Sequence, residues 1–173
     1  MSGVVQVEEV ASFPTKEGAV FSMTALPGGG IATGHFSPNV IRVWSVGGDL
    51  VATLEGHTST VLGLACSASG DIVSGSYDGS VKVWRDNTCV HTLQHGGHVH
   101  SVAVSPLNGT VVSRGYDGKA KVWSTSTEEC VATLEGHTSL IWPVCVLSNG
   151  DVVTGSVGKT VRMWAPGSWT CTA

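Results

Sequence analysis

The chain has 173 residues, enough for one domain with its own hydrophobic core. Charged residues make up 13% and the formal net charge is −4 with no Lys/Arg block, which argues against nucleic acid as a partner. No apolar run approaches the roughly 18–20 residues that span a bilayer, which argues against a membrane role, and residues 1–10 lack the basic and then apolar pattern of a secretory signal.

Low charge combined with 23 glycines predicts short strands joined by tight turns. In chain order, residues 9–13 read as an outer strand that precedes the first full repeat. Four similar units follow, marked by Trp44, Trp84, Trp123 and Trp164 at spacings of 40, 39 and 41 residues. The tryptophans end the runs "IRVW", "VKVW", "AKVW" and "VRMW". Upstream lie "IATGHF", "IVSGSY", "VVSRGY" and "VVTGSV"; downstream lie "LVATLEGH", "CVHTLQH" and "CVATLEGH". The units divide a single domain, 1–173, into an orphan fourth strand (1–13) and repeats at 14–54, 55–93, 94–134 and 135–173.

Within the second unit, strands are expected at Val61–Cys66, Ile72–Ser76, 81–84 and 89–93. Asp78-Gly79 is a tight-turn signal between the middle strands, and Ser69-Gly70 and Asn149-Gly150 mark other hairpins. Asn108-Gly109-Thr110 matches a glycosylation sequon but reads as a strand-to-strand turn. No segment has sustained helical periodicity, so almost no helix is expected. Five cysteines without a CxxC pair fit reduced thiols in the cytoplasm or nucleus.

These recurring positions resemble the WD40 family over nearly the whole chain. The resemblance implies an all-β propeller of about four four-stranded antiparallel blades. One departure is plain: Ser45, Arg85, Ser124 and Ala165 follow the tryptophans, so the aspartate of the name-giving pair is absent. The family's blades are braced by a structural tetrad of Asp, His, Ser/Thr and Trp. The matching residues are His57, Ser74, Asp78 and Trp84 in the second repeat, and His95, Ser113, Asp117 and Trp123 in the third. The fourth keeps His137, Thr154 and Trp164 with Gly158 in the aspartate place. The first has Thr33 and Trp44, with Lys16 and Ser37 at the other two places.

A His/Ser/Asp set also invites a catalytic reading. A triad needs an exposed nucleophile and an oxyanion site. Here the serine lies within a strand and the set repeats with the blade, which favours a brace. Nothing resembles a phosphate loop, metal-hydrolase motif or nucleophile elbow, so the chain reads as no enzyme and needs no cofactor. The run His95, His98 and His100 permits a metal reading, because residues two apart on a strand share a face. No nearby cysteine or carboxylate completes such a shell, and none is expected to act as a metal site. Cys89, Cys130 and Cys171 recur with the repeat on equivalent outer strands and read as strand residues.

The resemblance places the partner-binding face at three positions per blade. These map to Thr60, Leu62 and Tyr77; to His98, His100 and Tyr116; to Leu140, Trp142 and Val157; and in the first repeat to Ala19, Phe21 and Phe36. Aromatic residues are prominent in this set, although only 6% of the chain is aromatic, and such side chains bury a large area with few rotors. The implied function is a scaffold or adaptor that binds a protein or peptide. "VWRDNTCVHTLQH" and "GSVGKTVRMW" are further similar to the phospholipase A2-activating protein group, whose propellers bind ubiquitin, which points to a ubiquitin-linked adaptor. Since four blades fall short of the family's usual ring, a homodimer completing the ring is one expectation. A structural fragment of a larger propeller, without independent function, is another, and closure of the four blades alone is a third.

Overall fold

The structure is a computed structural model that describes residues 12–15 and 17–172. Among these, every regular element is a β-strand. The first blade holds β1 (Ala19–Ala25), β2 (Ile31–Phe36), β3 (Ile41–Trp44) and β4 (Leu50–Leu54). The second holds β5 (Val61–Cys66), β6 (Ile72–Ser76), β7 (Ser80–Arg85) and β8 (Thr88–Gln94). The third holds β9 (Val99–Val104), β10 (Val111–Gly115), β11 (Ala120–Ser124) and β12 (Glu129–Leu134), and the fourth β13 (Ile141–Val146), β14 (Val152–Ser156) and β15 (Thr160–Trp164). Each blade is an antiparallel meander, its strands hydrogen-bonded in chain order. Glycine sets the hairpins: Gly70, Gly79 and Gly150 all sit at positive φ, where a Cβ is disfavoured. Thr110 donates its amide to Asn108 Oδ1 at 3.1 Å, so the sequon forms a turn.

Strand alternation sends successive side chains to opposite faces, so each blade is apolar on both. Blade stacking buries those faces. Trp84 shares one apolar cluster with Ile41, Val43 and Leu54 of the blade before it. Trp123 does the same with Val81, Val83 and Leu93, and Trp164 with Ala120, Val122 and Leu134. Close approach at these joints requires glycine: a Cβ on Gly75 would lie 2.4 Å from Val99 Cγ1 of the next blade.

The same positions lose their cover at the two ends of the row. Val161 is 68% exposed, although its counterparts Ile41, Val81 and Ala120 are each 0% exposed. Met23 is 67% exposed where Val102 is 7% exposed. The first and fourth blades therefore do not seal against each other. Of the expected orphan strand, only Ser12 and Phe13 lie within the described residues. Neither belongs to a strand, and the Phe13 ring lies 5.2 Å from that of Trp44. The fourth blade has three strands, plus a bridge between Trp164 and Cys171. Cys171 thus takes the register that Cys89 and Cys130 take against Trp84 and Trp123.

Candidate functional site: blade braces and an aromatic face

Each brace begins with a buried indole N–H, a donor that must find an acceptor. In the second blade Trp84 Nε1 donates to Ser74 Oγ at 2.8 Å. His57 bridges that hydroxyl, at 2.7 Å from Nε2, to Asp78 Oδ2, at 2.7 Å from Nδ1. Asp78 also accepts the Thr58 amide and both the amide and hydroxyl of Ser80. Burial alone would push the Asp78 carboxyl up. The hydrogen bonds from His57 and Ser80 outweigh it and hold the group well below the usual carboxylate range.

The third blade uses the same residue types with the imidazole turned over. Trp123 donates to Ser113 at 2.7 Å, His95 meets Ser113 through Nδ1 at 2.8 Å, and Nε2 faces Asp117 at 3.3 Å. Burial holds the His95 pKa below its ordinary value, with Asp117 acting the other way. Two further braces contain residues that the repeat pattern does not reveal. In the fourth blade His137 joins Thr154 at 2.8 Å, and its Nδ1 meets Thr160 Oγ1 at 2.9 Å. Thr160 stands in for the carboxylate that Gly158 cannot supply. In the first blade Thr33 accepts the Trp44 indole and pairs with His35 Nε2 at 2.8 Å. That histidine comes from β2 itself, whereas the repeat placed it before β1. Strand parity was the available signal, since Thr33 and His35 are two apart and share a face. Lys16 lies outside the described residues, and Ser37 is exposed and takes no part in this chain of bonds.

The hub hydroxyls of Ser74, Ser113 and Thr154 are each 0% exposed, so a substrate has no path to them. A Ser/His/Asp set arranged this way can hold a tryptophan but cannot present a nucleophile. Among the described residues, no group of three His, Cys, Asp or Glu is arranged to hold a metal ion. His98 and His100 instead join aromatic neighbours. The Tyr77 ring lies 4.8 Å from His98 and 5.2 Å from His100, both edge-on. His100 lies 5.7 Å from Tyr116. His98 Nδ1 also donates to the Tyr77 carbonyl, tying the second blade to the third.

The strip continues into the fourth blade through Arg114. In β2, β6 and β14 the matching position is Gly34, Gly75 or Gly155; in β10 it is Arg114. Its guanidinium donates to the Trp142 carbonyl from Nε at 3.0 Å and Nη2 at 2.8 Å. It also lies 5.1 Å from the Trp142 ring centre. Trp142 is 59% and Tyr116 60% exposed, so two fixed aromatic side chains face solvent beside each other's blades. A cleft of about 430 Å³ is lined by Tyr77 and Tyr116 together with Gly96, Gly97, Asp78 and Asp117.

Phe21 and Phe36 form a separate exposed pair on the first blade, with ring centres 6.3 Å apart. Leu140 and Val157 are exposed beside Trp142, while Leu62 is half-buried. Ala19 is exposed as well. Thr60 departs from the expected surface set. It is buried, and its carbonyl accepts the Tyr77 amide.

Stacked four-stranded meanders, each carrying a buried indole brace, define a β-propeller blade array. The chain belongs to the WD40 family described as "WD domain, G-beta repeat", whose model matches residues 48–85, 87–124 and 128–165. Each match runs from an outer strand to the tryptophan of the next blade. Among similar proteins, WD repeat-containing protein pop1 of Schizosaccharomyces pombe is 48% identical over 32% of this chain and 8% of its own length. Phospholipase A-2-activating protein of Xenopus laevis is 39% identical over 46% of this chain and 10% of its own. Transcriptional corepressor LEUNIG_HOMOLOG of Arabidopsis thaliana is 28% identical over 76% of this chain and 18% of its own. The chain thus spans less than a fifth of each of these relatives. WD40 repeats make protein-interaction scaffolds, and that coarse function carries to this chain with the family. Among the described residues, no helix is long and apolar enough to cross a membrane.

Proposed function

We propose that the chain holds a peptide or protein segment along the strip Tyr77–His98–His100–Tyr116–Trp142. The observation that carries this reading is the fixed exposure of Tyr116 and Trp142, one braced by His100 and the other by Arg114. Pre-set aromatic side chains lose little freedom on binding, which is what makes them effective anchors. Panning a displayed peptide library on the wild-type chain should enrich binders that fail to bind the triple variant Tyr77→Ala, Tyr116→Ala and Trp142→Ala. Equal binding to the triple variant, with an unchanged melt, would place the working surface elsewhere.

A finer part of the reading is a ubiquitin-linked adaptor, supported by the likeness to the phospholipase A-2-activating protein. Titration of isotope-labelled ubiquitin should move its NMR signals; no movement at millimolar concentration removes this part. The reading acts without catalysis, in the cytoplasm or nucleus, where the five cysteines would stay reduced. It also takes the ring to be completed by a homodimer. A second reading, a structural segment of a larger propeller, is favoured by the same uncovered end faces. It predicts that the isolated chain does not melt cooperatively.

A further inference from the structure

We propose that the cleft lined by Tyr77 and Tyr116 takes a basic side chain, arginine or lysine, of the bound segment, with Asp117 Oδ2 as its acceptor. This rests on the reading of the aromatic strip as the binding surface and names the chemistry of the segment that lies on it. The second and third blades, which form the cleft, each have a packed neighbour on both sides.

The braces of these two blades end on carboxylates that are held differently. Asp78 is saturated: Oδ2 meets His57 Nδ1 and accepts the Thr58 amide, and Oδ1 accepts both the amide and the hydroxyl of Ser80. In the third blade Gly96 stands at the place of Thr58, and Lys119 at the place of Ser80. Among the described residues Asp117 accepts from His95 Nε2 and the Lys119 amide alone, both at Oδ1. Oδ2 is left for another donor. The Asp117 side chain is 30% exposed against 10% for Asp78, so a donor can reach it from solvent.

The space beside it is also particular to this blade. Thr58-Ser59 and Thr138-Ser139 follow the brace histidines of the second and fourth blades, whereas Gly96-Gly97 follows His95. A Cβ on Gly97 would lie 3.3 Å from Asp117 Cβ and 3.4 Å from its Cγ, so glycine there leaves the carboxylate uncovered. Gly96, Gly97 and Asp117 all line the one cleft.

Charge selects the occupant. Asp78 and Asp117 line the cleft, and no Lys or Arg is among the residues that do. The Lys121 ammonium donates to the His95 carbonyl at 2.7 Å, and among the described residues Asp117 forms an ion pair with His95 alone. An anion is therefore repelled. A metal ion lacks a shell, since no three His, Cys, Asp or Glu among the described residues are arranged to hold one. A guanidinium or ammonium gains a charge-assisted hydrogen bond to Oδ2. It also gains attraction to the rings of Tyr77 and Tyr116, both exposed.

Panning a displayed random peptide library on the wild-type chain should enrich peptides with arginine or lysine at one fixed position. Synthetic copies with glutamine at that position should bind about tenfold or more weakly by fluorescence anisotropy, the loss of one charge-assisted bond. Asp117→Asn, which keeps Oδ1 for His95 and the Lys119 amide, should weaken the parent peptides by a similar factor and abolish their advantage over the glutamine copies. Gly97→Ser, which sets the side chain of the other blades against Asp117, should do the same without touching the brace. It decides the matter where Asp117→Asn lowers the melt. Peptides that lose binding to the triple alanine variant of the strip yet carry no fixed basic position, or that bind Gly97→Ser as tightly as the wild type, overturn this inference and leave the strip reading standing. Equal binding to the triple variant, or no enrichment at all, overturns both.

Discussion

Replacing Ser74 with alanine removes one oxygen from the second blade and strands two rings. The serine hydroxyl accepts the Trp84 indole at 2.8 Å and meets His57 Nε2 at 2.7 Å, with the side chains buried. In the neutral ring, Nδ1–H donates to Asp78, so Nε2 needs the serine proton. Each buried group left without a partner costs about 1–3 kcal/mol. Because both bonds share one atom their costs are not independent, and the sum expected is about 2–5 kcal/mol. That is a large share of a typical total of about 5–15 kcal/mol. Thr154→Val makes the matching change in the fourth blade, keeping the side-chain volume. There His137 is only partly buried, so water can replace the lost bond, and the stranded group is mainly the Trp164 indole. About 1–3 kcal/mol is expected. Urea unfolding, followed by far-UV circular dichroism at one fixed protein concentration, measures both. A Ser74→Ala loss below about 0.5 kcal/mol, the level of neutral surface changes, would refute the bracing argument. So would a larger loss for Thr154→Val than for Ser74→Ala.

Acid should act in two stages. Burial holds the pKa values of His35, His95 and His137 below the ordinary 6.5, so the unfolded chain takes up these protons first as the pH falls. Their stabilising contribution is complete above 6.5 and fades below it, and the Tm should fall accordingly; a Tm constant from neutral pH to about pH 5 contradicts this. Asp78, held below its ordinary 3.8, adds a second loss as the pH drops through and beneath that value. Gly75→Ala should destabilise by about 1–3 kcal/mol through overpacking, because the new Cβ would meet Val99 Cγ1 at 2.4 Å. A neutral result in the same urea assay would show that the joint between the second and third blades can open by ångströms.

The blades were readable because the sequence repeats them. Four tryptophans on one period placed the third strands, and the turn glycines fixed where the hairpins reverse. The members of the second and third braces were named from the likeness to the WD40 family, and hydrogen bonds join them in both blades. His35 and Thr160 were not found that way, because each fills its role from a different place in the chain. Such replacements conserve the hydrogen bond and not the position. Arg114 was also missed. It breaks a glycine pattern, and only the geometry shows it fixing the Trp142 backbone and ring. Thr60 was placed on the partner face by the family likeness, which maps position along the chain and not depth, and it is buried. Val161 and Val81 are alike in sequence context, and what separates them is whether another blade stands in front.

Each described blade touches chiefly its neighbours, and this has a kinetic consequence. The second and third blades are packed on both sides, while the first and fourth have one face in water. In a linear array, local opening starts from the ends, and its free energy rises toward the middle. The amides of β6, β7, β10 and β11 would then be the last to exchange their hydrogens, as one cooperative core, with β14 and β15 exchanging earlier. The strip from Tyr77 to Tyr116 is mounted on that slow core, while Trp142 stands just beyond it, on the first blade outward.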